Sequence, residues 1–148
     1  MLYTPITKKA LRYCFEVHAG QLDKSGIPYV NHPLHLAEQM ETEDETVVAL
    51  LHDVMEDTDF TLTDLQAIGI SAAAQEALLL LTHNDAVPYL EYVAALAGNP
   101  LATKVKLADL RHNSQLSRLD VVREKDLARR AKYDKARAIL GDTSPADD

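Results

Sequence analysis

The sequence predicts an all-α fold in one domain of about eight helices. Three observations predict it. Apolar residues recur at helical spacing along most of the 148 residues, and helix-start signatures precede these runs. No segment of strand length shows the apolar-polar alternation of a half-buried strand. A composition of 47% hydrophobic and 26% charged residues is that of a globular chain able to bury one core.

Each element has a local reason. Thr4-Pro5 opens the first helix, with proline at the first helical position and Ile6, Ala10, Tyr13, Cys14 and Val17 following at helical spacing. It should stop near Gly20, and the stretch from Gln21 to Asn31, with Gly26 and Pro28, reads as a loop. Asn31 can cap a short second helix containing Pro33, Leu34, Leu36 and Ala37. Thr42-Glu43-Asp44-Glu45 is a capping box ahead of a central helix that runs through Asp57. Its Val47, Val48, Leu50, Leu51, Val54 and Met55 leave little room for a solvent face. Short helices follow at Thr61 to Ile68 and Ser71 to Leu81, and Pro88 opens another. Asn99-Pro100 caps the long helix that carries Asp109 and Asn113, and an amphipathic helix from about Glu124 to Leu140 closes the domain. Residues 1–140 form that domain, and 141–148 read as an acidic, disordered tail.

Charge narrows the function. Fifteen Lys and Arg stand against 23 Asp and Glu, a net charge of −8. This opposes binding to long nucleic acid, whose affinity comes largely from phosphate neutralisation. A small phosphorylated ligand, held by a metal and a few local cations, stays compatible. No apolar run approaches the roughly 20 residues that span a bilayer. Met1-Leu2-Tyr3-Thr4-Pro5 is not the start of an export signal. The single cysteine, Cys14, fits a reducing compartment and a buried core position. The expectation is a cytoplasmic protein without a membrane segment, its oligomeric state open.

Three clusters carry chemistry: His32 in Tyr29-Val30-Asn31-His32-Pro33, His52-Asp53 followed by Glu56-Asp57, and Asp109 with His112 and Asn113. On a continuous helix His52 and Glu56, or Asp53 and Asp57, stand four apart and share a face, as do Asp109 and Asn113. Ionised carboxylates on so apolar a helix are costly unless a cation or metal compensates them. Two imidazoles with two carboxylates suit Mn²⁺, Fe²⁺ or Zn²⁺ better than an all-oxygen Mg²⁺ or Ca²⁺ site. The plainer alternative is a His-Asp pair hydrogen-bonded within a helical core.

Three strings together resemble the HD superfamily of metal phosphohydrolases, and within it the RelA/SpoT-type alarmone hydrolases. They are Gln21-Leu22-Asp23-Lys24-Ser25-Gly26-Ile27-Pro28-Tyr29-Val30-Asn31-His32-Pro33, Leu51-His52-Asp53-Val54-Met55-Glu56-Asp57-Thr58, and Lys106-Leu107-Ala108-Asp109 with Asn113. The resemblance implies metal ligation by His32, His52, Asp53 and Asp109, usually of Mn²⁺. It implies that Glu56 and Asp57 manage the attacking water and the leaving group's proton, and that Asn113 helps hold the nucleotide. The implied reaction removes the 3′-pyrophosphate from ppGpp or pppGpp, in a stand-alone hydrolase with no room for a synthetase domain.

Two positions differ from the family pattern: Asp23 stands where an arginine that packs on guanine is common, and Gln115 where a second arginine often follows Asn113. Aspartate offers no guanidinium plane. Another nucleotide or phosphate ester therefore stays open as substrate, as does a nucleotide-sensing module without turnover, which the Glu56-Asp57 pair disfavours. Lys24 is the first expectation for a phosphate contact, with Ser25, Asn113 and Arg111 as the other substrate-binding candidates. Lys8, Lys9 and Lys104 read as solvated. His18 reads as interacting with a helix C-terminus, His35 as lining the pocket or surface, His112 as facing solvent or substrate, and His83 as without a role.

Overall fold

Threonine caps start the helices where the sequence places them. In the computed structural model, which describes residues 1–146, the side chain of Thr4 accepts the Thr7 amide and α1 spans Pro5–Val17. Thr42 likewise accepts the Glu45 amide while Glu45 reaches back, so α3 spans Glu43–Leu51. Between them lie a loop and α2 (Asn31–Glu38). The loop folds on itself: Asp23 donates its amide to Ile27 at 2.8 Å and Tyr29 donates to Gln21 at 2.8 Å. Gly26, with φ of 79°, turns the chain there in a conformation that disfavours a side chain. Asn31 does not cap α2. Val30 occupies that position without a side-chain bond, and Asn31 is the first helical residue.

The segment predicted as one central helix is two. α3 ends at Leu51, Asp53 takes φ −100° and ψ −5°, and a single turn, α4, follows at Val54–Asp57. Asp53 is tied to groups outside its own helix, namely the Tyr29 hydroxyl and the region of His32. These ties accompany its departure from the regular helical path, and Glu56 and Asp57 follow on the separate turn α4. The apolar part of the reading stands: every residue from Thr46 to Leu51 is buried. α3 packs against α1, α2, α6 (Ala72–Leu81) and α8 (Pro100–Asn113). Truncating a fully buried leucine such as Leu50 in this core costs about 2–5 kcal/mol.

α5 (Leu62–Ala67) and α7 (Tyr89–Leu96) complete the periphery, and a 3-10 turn at Leu116–Arg118 joins α8 to α9 (Glu124–Ile139). No strand forms among the described residues, where the only β pairing is an isolated bridge between Leu22 and Pro28. Part of the expected tail lies against the helices. Asp142 pairs with Arg111 at 2.8 Å and Arg137 at 3.4 Å, and Arg137 also donates to the Ser144 carbonyl at 2.7 Å. Asp147 and Asp148 lie outside the described residues. No described helix is long and apolar enough to cross a membrane.

Candidate metal centre and adjoining cavity

Three elements meet over the break between α3 and α4. α2 presents His32, the end of α3 presents His52, and α8 presents Asp109, each at most 5% exposed. Ligand atoms from all three lie within 4.8 Å of one another. His32 Nε2 is 2.9 Å and His52 Nε2 3.6 Å from Asp109 Oδ1. Asp53 Oδ2 joins them, 3.0 Å from His52 Nε2 and 3.9 Å from His32 Nε2. His52 Nδ1 donates to the Ala49 carbonyl at 2.7 Å, which leaves Nε2 unprotonated when the ring is neutral. That Nε2 is buried and makes no hydrogen bond. An orphaned imidazole nitrogen amid two carboxylates is the donor set a divalent cation satisfies, and no protein group there does so.

Each of these groups is held from behind. Lys106, one helical turn before Asp109, donates to its Oδ2 at 2.8 Å, and Asn113 donates to its Oδ1 at 2.9 Å. The Tyr29 hydroxyl donates to Asp53. His32 Nδ1 meets His112 Nδ1 at 2.6 Å, with the two ring planes within 10° and centroids 4.9 Å apart. The rings therefore meet edge to edge and share a single proton. Such backing fixes the orientation and tautomer of a metal ligand.

The electrostatics follow the same arrangement. Burial opposes ionisation of Asp109, but the Lys106 ammonium, the bond from His32 and the nearby His52 outweigh it and hold the carboxyl well below its usual range. Burial also opposes protonation of His52, yet the Asp53 charge and the Asp109 carboxylate raise it well above the usual histidine value. Without a cation, a proton on His52 balances the carboxylates. His112 is pushed the other way, down to about 3, by burial and by its neighbours His32 and Arg118. It is neutral and able to accept. Glu56 and Asp57, exposed on α4, are both raised by desolvation, with the Asp53 charge adding to it. The His83 amide donates to the Glu56 carboxylate and fixes it beside the α6–α7 loop.

A cavity of about 350 Å³ opens from His32 and Tyr29 and is lined by Lys24, Ser25, Asn113, Arg118, Arg129 and Tyr133 among others. No protein-family model matches the chain. A GTP pyrophosphokinase of Myxococcus xanthus is 35% identical over 144 residues, covering 86% of this chain and 19% of that protein. A guanosine-3′,5′-bis(diphosphate) 3′-pyrophosphohydrolase of Aquifex aeolicus is 29% identical over 113 residues, covering 69% of this chain and 16% of that protein. The chain thus spans less than one fifth of these relatives' length. A solved structure, described as a metazoan ortholog of SpoT that hydrolyzes ppGpp, shares the fold with a TM-score of 0.71. It covers 95% of this chain and 85% of the other at 22% identity.

This chain is a homologue of the RelA/SpoT-type proteins.

Within that RelA/SpoT-type frame the structure sorts the residues singled out from sequence. His32, His52, Asp53 and Asp109 converge. Lys24, Ser25 and Asn113 line the adjoining cavity. Arg111 does not line it and is engaged by Asp142 and Ser144 instead, because its side chain leaves α8 toward the chain end. His112 faces His32 and is buried, not turned to solvent, and His35 stacks on it at 4.3 Å. His18 is buried against the Tyr29 ring at 4.8 Å, with Nδ1 3.0 Å from Gln21 Oε1. His83 stacks on Tyr92 at 4.5 Å while its amide holds Glu56. Cys14 is buried, and burial with the Asp53 charge pushes its thiol up to about 12.

Sequence reasoning passed over Tyr29 as a partner of Asp53, Arg118, and the Arg129–Tyr133 pair. The last pair carried a signal, since residues four apart on α9 share one face. Arg118 carried none: its neighbour Asp23 is 95 positions away.

Proposed function

We propose that this chain hydrolyses the 3′-pyrophosphate of ppGpp or pppGpp, using a divalent metal, Mn²⁺ before Fe²⁺ or Zn²⁺. The observation that carries the reading is the buried His32–His52–Asp109 cluster with its orphaned His52 Nε2, opening into a cavity that holds Lys24, Ser25 and Asn113. Relatives named as 3′-pyrophosphohydrolases of the guanosine bis(diphosphate) support it.

His32, His52, Asp53 and Asp109 would hold the metal. The metal supplies Lewis acidity and a bound water acidic enough to attack near neutral pH. In the reaction, water oxygen bonds to the phosphorus next to the ribose, the bond from that phosphorus to the 3′ oxygen breaks, and pyrophosphate leaves. Glu56 and Asp57 handle the two protons this requires, one taken from water and one given to the 3′ oxygen. Their raised pKa values put them nearer the working pH than ordinary carboxyls. Lys24 and Ser25 reach the phosphates from the loop, and Asn113 links the substrate side of the cavity to Asp109.

The test is release of pyrophosphate from ppGpp by metal-loaded protein, with Asp53→Ala as control. Loss of both metal and turnover is expected in the variant, and no turnover by the loaded wild type refutes the assignment. A second reading keeps the centre but takes another nucleotide or phosphate ester, which the Asp23 and Gln115 positions favour. A substrate panel separates the two, since a clear preference for ppGpp ends the second.

A further inference from the structure

Asp23 is an odd residue for the wall of a phosphate-binding cavity, but the structure leaves it no free charge. Its Oδ1 accepts the amides of Ser25 at 2.8 Å and Ile27 at 3.0 Å. Its Oδ2 takes Arg118 Nη1 at 3.2 Å. The other end of that guanidinium is fixed as well, since Nη2 donates to the His112 carbonyl at 2.8 Å. Nε is buried with no partner. Both terminal nitrogens of the plane are therefore anchored to the protein. Arg118 so held is one of the residues that line the cavity.

This constrains the ligand chemistry. A guanidinium whose charge is paired with a carboxylate attracts phosphate weakly, while its delocalised plane still stacks on an aromatic ring. A pinned plane does so at little entropic cost. Phosphate is left to Lys24, which has no ion pair among the described residues and whose ammonium is destabilised first by desolvation and then by Arg129. We propose that the Asp23–Arg118 pair is the base-recognising wall of the cavity: Arg118 stacks on the purine of a nucleotide, and Asp23 positions it. The inference rests on the reading above that the ligand is a nucleotide. The wall is built by two distant segments, the α1–α2 loop and the turn before α9.

Binding tests it without requiring turnover. Calorimetric affinities of guanosine 5′-monophosphate and ribose 5-phosphate, which carry the same phosphate, are compared for the wild type and for Arg118→Lys, which keeps the charge and loses the plane. The wild type is expected to prefer the base-bearing ligand by about five- to a hundredfold, the usual worth of one stacked base. Arg118→Lys should remove most of that preference while binding ribose 5-phosphate as before, which also shows that it is folded. Asp23→Asn keeps an acceptor for the loop amides but releases the guanidinium, and should lose part of the preference. An absent base preference in the wild type, or an undiminished one in Arg118→Lys, overturns the inference. Absent ppGpp turnover together with a base preference that Arg118→Lys abolishes overturns the proposed reaction and leaves this wall standing.

Discussion

Replacing His112 by phenylalanine isolates what holds the candidate metal centre in shape. In the wild type one proton lies between His32 Nδ1 and His112 Nδ1, 2.6 Å apart in nearly coplanar rings. For His32 to ligate through Nε2, the nitrogen that faces Asp109 at 2.9 Å, that proton must sit on His32 Nδ1, and His112 must accept it. Phenylalanine keeps a buried ring but no acceptor. His32 then either keeps a buried, unsatisfied Nδ1–H, at about 1–3 kcal/mol, or moves the proton to Nε2 and ceases to be a ligand. Both routes weaken the metal. Loss of such a backing bond lowers affinity about 10- to 100-fold, which corresponds to about 1.4–2.8 kcal/mol and agrees with the desolvation figure. Asparagine places its Oδ1 close to where His112 Nδ1 stands, so His112→Asn should recover most of the affinity. Competition against a chelating indicator measures affinity, and ¹⁵N NMR of the histidines reports the His32 tautomer. Metal binding by His112→Phe at wild-type strength would refute the reasoning, as would equal losses in the phenylalanine and asparagine variants.

Other outcomes follow from the same cluster. Lys106→Met breaks a buried ion pair and should cost the metal-free protein about 3–5 kcal/mol. A divalent ion should then raise its melting temperature more than it raises that of the wild type; an equal rise contradicts this. Because Asp109 ionises well below the usual range, its contribution is present above the unfolded carboxyl pKa and lost as pH falls. Lys106→Met should therefore move acid unfolding to higher pH, as circular dichroism would show. His52 has the opposite sign: its raised pKa stabilises the metal-free fold at low pH, and the gain disappears as pH rises through that raised value. Metal at Nε2 must displace this proton, so affinity should fall about tenfold per pH unit below the His52 pKa. Calorimetry in buffers of different ionisation heat should detect about one proton released near pH 7, and no release there would count against it.

Much of the fold was legible because its signals are local. Thr4, Thr42 and Asn99 sit at caps that the chain specifies within four residues, and the apolar run from Thr46 to Leu51 demands burial wherever it is placed. The same reading treated His52 to Asp57 as a continuous helical face. It missed the break at Asp53, because the groups that hold Asp53 come from residues 29 and 32. Asn31 reads as a cap by composition, yet the turn through Pro28 and Tyr29 starts the helix one residue earlier.

The sequence by itself determined the helical class, the core, and which histidines and carboxylates were candidates for a metal centre, since residue type and short-range spacing point to all three. Only tertiary structure decided which nitrogen of His52 is left orphaned and that His112 backs His32. It also decided that Arg111 is engaged by Asp142, and that Asp23 stands against Arg118. The physical reason is the range of the forces involved. Capping and burial are set by neighbours along the chain, whereas a hydrogen-bonded proton or a pinned guanidinium depends on angstrom-scale distances between segments that meet only after folding.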